Sequence, residues 1–391
     1  MNNSTTILNP ELFNSFLHRK TINFTQVIEK NFKIKRTKTL ATFVPEEIIM
    51  SFEPTKKILR KFSGILLLVD ISDFFKLIEN FTDGENGGCF GFLNIFNNYL
   101  NIIIEQINFH NGDILKFTRD GLLVLWKVHK NILIFQLIEN IIVCSLSIHE
   151  TLKSVNNETL LNLKVKTVIS TGHIIFSVIG NEKSRHIIVA GPSVMEVKSL
   201  KNNCTPGDLI LTANAWEHCA PSNYEYVIKA ENSVQIIGRR TKNFVKRKMP
   251  FEINTLSRKK AKFSTSFTTN LLIPKTLIQD TFSHFVPNFR NFKNANNYQK
   301  PFTGRLGITK AVQNGIGDKL KLFIINSVVK EIENNQSLDN LTEIKRVTIL
   351  SVNVNPLKSS VLELIKFIDD CYIQISKYCF VIFFKENIFL I

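Results

Sequence analysis

Two aspartates stand where carboxylates can do chemistry. Asp70 closes the apolar run Gly64–Asp70 (GILLLVD), and Asp120 lies in Arg119-Asp120-Gly121, between the apolar runs Ile114–Thr118 and Leu122–Trp126. A carboxylate at the end of a buried strand is costly unless a cation or a set of hydrogen bonds meets it. Two carboxylates delivered by adjacent strands are what a two-metal phosphoryl-transfer site needs: the ions neutralise phosphate charge, and one activates the attacking oxygen. Each aspartate also has a plain structural reading. Asp70 or Ser72 would cap a following helix, and turn aspartates are common. Asp113, in another turn (Asn-Gly-Asp), reads as structural.

The elements that must position these side chains are legible in the pattern. Gly64–Asp70 is continuously apolar, as in a strand covered on both faces. A helix follows over about 72–81, then a loop at Asp83–Gly88. Residues Phe92, Ile95, Phe96, Leu100, Ile103, Ile104 and Ile107 fall at helical spacing over Phe90–Phe109. Asp-Gly between two apolar runs predicts a hairpin at residues 114–126. A third helix over 131–153 leads to strands at 162–171, Ile174–Val178 and His186–Ala190. The order β-α-α-β-β-α-β-β points to an α+β, ferredoxin-like sheet with helices on one face. A smaller tail follows: strand Asp208–Thr212, helical Asn-Ala-Trp-Glu-His-Cys, and two short strands near 225–237.

Helical spacing returns at Leu320–Glu333. The run VTILSVNVN after Arg346 repeats GILLLVDIS, followed by a helix over Ser359–Tyr378 and a strand over Phe380–Phe384. The expected organisation is a lead-in of helical pieces (1–60), a first domain (61–238), a basic linker with a helix (239–340), and an incomplete second copy of the first domain (341–391). At the strand end matching Asp70 the second copy has Asn353, so only the first copy offers metal-binding carboxylates.

Composition narrows the class. The 391 residues are 44% hydrophobic and 21% charged, a globular balance. Six cysteines form no Cys-x-x-Cys pair or zinc spacing, which fits reduced thiols in a cytosolic or nuclear protein. The start reads as lacking a signal sequence. The apolar stretch Asn131–His149 is broken by Gln136, Glu139 and Asn140, which argues against a membrane span. Net charge is +16, and Arg239–Lys262 holds ten Lys/Arg against Glu252 alone. No nucleic-acid-binding motif accompanies that run, so it reads as a solvated linker.

The chain resembles the soluble, bicarbonate-responsive (type 10) class III adenylate cyclases. The resemblance is carried by Leu68-Val-Asp-Ile-Ser-Asp-Phe74, the hairpin GDILKF–RDGLLVLW, His186-Ile-Ile-Val-Ala-Gly-Pro-Ser-Val-Met-Glu-Val-Lys198, the NAWEHC block, and KEIENNQSLDNLTEIKRVTIL. It implies ATP as substrate, cyclic AMP and pyrophosphate as products, and two Mg²⁺ or Mn²⁺ ions held by Asp70, Asp120 and the main chain of Ile71. It further implies a nucleotide triphosphate lying over Ile71, Ser72, Asp73, Phe74 and Phe75. A bicarbonate site would involve Lys116, Val189 and Lys198. A complementary cyclase domain, in the same chain or another, would supply adenine recognition and transition-state stabilisation.

Several positions depart from that family's pattern. Asp73 replaces a glycine in the phosphate turn, where the absence of a side chain lets phosphate approach backbone N–H groups. The added carboxylate either repels the triphosphate or adds a metal ligand. Phe75 replaces a small residue. Arg119 replaces a glycine and is a candidate substitute cation for Asp120 or Asp73. Lys198 stands for an arginine, so a planar fork becomes a point charge.

Overall fold

The computed structural model describes residues 10–52, 58–72, 79, 88–118, 121–129, 132–159, 163–229, 233–240, 305–336, 338 and 360–382. Asp73, Phe74, Phe75, Arg119, Asp120 and the repeat strand near 346–356 lie outside these residues, as does all of the expected helix over 72–81 except Ser72 and the helical Glu79.

The organising element is β1 (Leu59–Ile71), longer than its apolar core and buried from Gly64 onward. Because successive side chains of a strand point to opposite faces, Ile65, Leu67, Val69 and Ile71 enter one apolar cluster, while Leu66 and Leu68 enter another. Burial on both faces is why this run shows no alternation in sequence.

On the first face lie α3 (Gly88–Phe109) and α4 (Ile134–Thr159), whose apolar stripes bring Ile103, Ile107, Ile138, Ile141 and Ile142 against the sheet. Between them come β2 (Asp113–Phe117) and β3 (Gly121–Lys127). The strand β4 (Val165–Gly180) runs antiparallel to β1 along the whole length of β1. The order β2-β3-β1-β4, with α3 and α4 as its helical connections, is the ferredoxin-like α+β core.

The sheet then extends. Beside β4, on the same edge, β6 (Leu209–Leu211) pairs in parallel with its first half, and β5 (Arg185–Ala190) pairs antiparallel with its second half. Beyond β6 come β8 (Val234–Arg239) and β7 (Tyr224–Ile228). Helix α5 (Pro192–Asn203) crosses the second face, and α6 (Ala213–Trp216) is the short helix of the NAWEHC block.

The second face carries more than α5. Helices α1 (Pro10–Thr42) and α2 (Glu46–Ser51) pack there, joined by α7 (Leu306–Gln313), α8 (Gly317–Leu320) and α9 (Asn326–Glu333). Leu40, Ile48, Ile49, Ala311, Ile316, Leu320 and Ile332 share one cluster with Leu66 and Phe176. The expectation of helices on one face therefore holds for α3 and α4 only; the second face is covered as well. The helix expected over Leu320–Glu333 is broken by a 3₁₀ turn at Lys321–Phe323.

Two further expectations are corrected. The strands expected at 162–171 and 174–178 are one strand. Thr171-Gly172 reads as a break, but Gly172 adopts φ +154° and carries the chain through. A side chain there would meet Ser193 Oγ on α5, so the glycine also lets that helix approach. At the other end, residues 380–382 belong to α10 (Val361–Ile382) rather than to a strand. This helix packs on the far half of β4 through Ile365 and Tyr372, against Ile175, Ile179 and Ile188.

Candidate functional site

Asp70 sits at the end of β1 with only 5% of its surface exposed. Its antiparallel neighbours are Gly121 on β3 and Lys166 on β4. Gly121 is required there, because a Cβ would run into the Val69 carbonyl oxygen. The hairpin turn closes with Thr118 N–H donating to Gly121 O at 2.8 Å. Asp120 precedes Gly121 in the sequence and lies outside the described residues. Beyond Asp70, Ile71 is buried, and Ser72 N–H donates to Lys164 O at 2.7 Å.

The cation that meets Asp70 is Lys201, whose Nζ lies 2.6 Å from Oδ1. Sequence reasoning missed it and looked to Arg119 instead, which lies outside the described residues. Lys201 stands in the last turn of α5, where cations favour the helix dipole. Val197 and Leu200 are buried from the same helix. The signal in the sequence was a lysine flush with that apolar stripe; its partner lies far back along the chain.

As it stands this strand end does not fit a divalent ion: the described residues there offer one carboxylate, and Lys201 pairs with it. Among the described residues, no three His, Cys, Asp or Glu side chains gather to hold a metal.

The lysines of the expected anion site do come near one another. Burial lowers the pKa of Lys116, and the positive charge of Lys198 lowers it further. Val189, on β5, packs into the second-face cluster that holds Leu115 and Val197, the neighbours of these lysines. His186, at the start of the same strand, has its pKa lowered by burial and then by Lys116. Its Nε2 lies 2.8 Å from the Tyr372 hydroxyl on α10 and 3.2 Å from Ser184 Oγ. The hairpin between β4 and β5 is tied to α10 twice more, by Gly180 N–H donating to Asp369 Oδ1 at 2.8 Å and by Asn181 to Ser376.

Other buried charges are structural. Asp113 accepts from Glu46 and Glu47 N–H at 2.7 and 2.9 Å, capping the start of α2. Arg305 reaches Asp113 at 3.4 Å and donates to Thr42 O and Val44 O, so it ties β2 to the chain between α1 and α2. Burial pushes Asp113 up to about 6 against the opposing pull of Arg305 and the two N–H groups. Glu47 takes both its oxygens to Lys127, at 2.9 and 3.0 Å. On the first face, His149 meets Thr167 Oγ1 at 2.8 Å, and burial drops its pKa to about 4.

No family model matches the chain. Among curated proteins it is 30% identical over 319 residues to "Adenylate cyclase type 10" of Homo sapiens, covering 81% of this chain and 18% of that protein. Over that stretch the chain is similar to the type 10 adenylate cyclases. The Mus musculus type 10 cyclase is 34% identical over 189 residues, 48% of this chain and 12% of that protein. The chain thus spans under a fifth of the length of the curated proteins it matches.

Two solved structures are also similar to the chain. The adenylyl cyclase CyaB from P. aeruginosa has TM-score 0.40 and 15% identity, covering 47% of this chain and 98% of that one. The guanylyl cyclase Cya2 has TM-score 0.38 and 20% identity, covering 46% and 95%. No helix among the described residues is long and apolar enough to cross a membrane.

Proposed function

We propose that this chain is an adenylate cyclase-like protein that converts ATP to cyclic AMP and pyrophosphate, with a second cyclase domain, in the same chain or another, completing its site. The supporting observation is the Asp70–Gly121 register, which pairs a buried strand-end carboxylate with the residue that follows Asp120 in the sequence. In this reading Asp70, Asp120 and the Ile71 main chain are the groups for two Mg²⁺ or Mn²⁺ ions, which when bound neutralise phosphate charge and activate the 3′-hydroxyl. Holding them requires Lys201 to leave Asp70. The backbone over 71–75 meets the triphosphate, and Lys116, Val189 and Lys198 form an anion site of bicarbonate size. Segments 61–238 and 341–391 are the first cyclase domain and the beginning of the second, joined by 239–340 and preceded by 1–60. The work is cytoplasmic or nuclear and involves no nucleic acid.

A second reading, a non-catalytic cyclase-homology module with a binding or regulatory role, is favoured by one observation: the Lys201–Asp70 ion pair neutralises the metal carboxylate from within. The deciding experiment is cyclic AMP formation from Mn²⁺–ATP by the full chain mixed with a complementary cyclase domain, against an Asp70→Ala/Asp120→Ala background. Product above background supports the enzyme. No product, with the two domains shown to associate, leaves the binding module.

A further inference from the structure

On the first face, the start of α4, the connection after α6 and the start of β7 enclose a cavity of about 310 Å³. Phe135 and Glu139 line it from α4, His218 to Ala220 from the connection, and Asn223 and Tyr224 from the entry to β7. The strand order β1-β4-β6-β8-β7 puts Tyr224 four strands from β1. At about 4.8 Å per strand that is on the order of 19 Å from the strand that bears Asp70. The wall is held from behind by Trp216, whose ring packs on Tyr224 and Tyr226 at 6.4 and 4.7 Å between centroids.

Tyr224 is 2% exposed, yet among the described residues its hydroxyl has no hydrogen-bond partner. A hydroxyl taken out of water without a partner is costly, and a buried tyrosine usually has one. Burial raises its pKa, and the nearby Glu139 and Cys219 raise it further, so the hydroxyl lies toward the two lining residues and keeps its proton to donate. Glu139 accepts from Arg239 Nη2 through Oε1 at 2.7 Å, which already balances its charge. A carboxylate offers about four acceptor positions, so it still has room for an N–H from a ligand. Burial pushes Cys219 up to about 12, so it lines the cavity as an uncharged thiol. The half-exposed Phe135 ring adds a flat apolar surface.

We propose that this cavity binds a small, uncharged, planar aromatic molecule bearing an amide-like pair of groups: its acceptor takes the Tyr224 hydroxyl proton, its N–H goes to Glu139, and its ring lies against Phe135. The volume is at the lower end of small-molecule sites, about 300–1,000 Å³, and suits a single substituted ring. An anionic ligand would meet the Glu139 carboxylate, and a cationic one would have to compete with Arg239 for it. The site is separate from the Asp70 strand end, and its ligand binds whether or not the chain makes cyclic AMP.

The test uses the full chain and benzamide as probe, with binding read by titration in saturation-transfer nuclear magnetic resonance. Benzamide is expected to bind at least about tenfold more tightly than benzoate, whose charge would face Glu139, and more tightly than the non-planar cyclohexanecarboxamide. Tyr224→Phe is expected to weaken benzamide about fivefold without lowering the melting temperature, because the hydroxyl it removes has no partner among the described residues. Ala220→Trp, which fills the cavity from an exposed position, is expected to abolish binding. Phe135→Ala is expected to weaken it and serves if the tryptophan variant does not fold. Absence of benzamide binding to the natural chain, or binding that these variants leave unchanged, overturns the site. Benzoate binding as tightly as benzamide overturns the assignment of an uncharged ligand. A lower melting temperature in Tyr224→Phe assigns the hydroxyl to the fold and overturns its role in binding.

Discussion

Two carboxylates buried on the same face of the sheet meet lysines, yet they occupy opposite situations. Glu47, on α2, gives both oxygens to Lys127 and also accepts from Ser51 Oγ; Lys127 in turn lies 4.4 Å above the Phe62 ring. Arg60 stands 3.9 Å from the same carboxylate, and together these contacts lock α2 to the ends of β1 and β3. Asp70 and Lys201 sit at the opposite end of β1, beside a hairpin turn, with the lysine reaching in from a helix end. The two lysines are almost equally exposed, at 26% and 28%, so what separates the pairs is the set of side chains gathered on Glu47 against the strand-end position of Asp70. Burial of charge alone does not mark a site.

That contrast can be broken by experiment. Lys127→Met removes both hydrogen bonds given to Glu47 but leaves Arg60 3.9 Å away, so it should cost about 3 kcal/mol in denaturant unfolding. Lys201→Met, which leaves Lys166 across the strand from Asp70, should cost less, about 1–2 kcal/mol. Equal costs would erase the distinction between the two pairs.

Gly121→Ala tests the strand end from the other side. Its methyl group would collide with the Val69 carbonyl, which backbone pairing holds in place. Forced overpacking of this kind costs about 3 kcal/mol. Amide exchange should rise at the Asp70 end of β1 before it rises at Gly64.

Titration separates the two faces of the sheet. His149, on the first face, has a folded pKa of about 4, below its unfolded value of 6.5. Its contribution is full above pH 6.5 and is lost as the pH falls toward 4. Asp113, on the second face, is raised from 3.8 to about 6, so its contribution is full below 3.8 and declines as the pH rises through 6. Each is worth on the order of 2–3 kcal/mol, with opposite slopes across nearly the same range. Asp113→Asn should therefore make stability fall more steeply on acidification between pH 6 and 4 than in the natural chain, and His149→Gln should make it fall less steeply; thermal melts across that range would show both.

The smallest effect concerns α10. Tyr372→Phe removes the hydroxyl facing His186 Nε2 and should loosen this helix by about 0.5–1.5 kcal/mol, read as faster amide exchange in α10 with β1 unchanged.

The ferredoxin-like core was legible because its signals are local. The unbroken apolar run of β1, the helical spacing of α3 and the Asp-Gly hairpin each follow from a few neighbouring residues. Asp113 as a structural residue was legible from its turn, although its role as cap for α2 was not. The misses are non-local or depend on context. Thr171-Gly172 looks like a turn, and only the pairing of β1 along the whole of β4 shows that the strand continues. The second-face helices α7–α9 follow a segment of weak pattern, and their burial depends on α1 and α2 at the other end of the chain. At the site, Asp70 could be found from its strand, but Lys201 could not be assigned to it, because helical spacing shows which way a lysine faces and not what lies across from it.

The pairing of β1 also sets the order in which the chain can fold. Gly64 pairs with Lys127 on one edge and Gly172 on the other, so the most apolar strand is synthesised well before either neighbour exists. The helices that cover its second face wait longer still, since Arg305, which ties to the Thr42 carbonyl at the end of α1, lies 263 residues further along. Contacts of such long sequence separation form slowly, and an apolar strand with both edges open can pair with other nascent chains. Slow translation across residues 72–172 would prolong that exposure, and soluble yield, more than final stability, is where it would be felt.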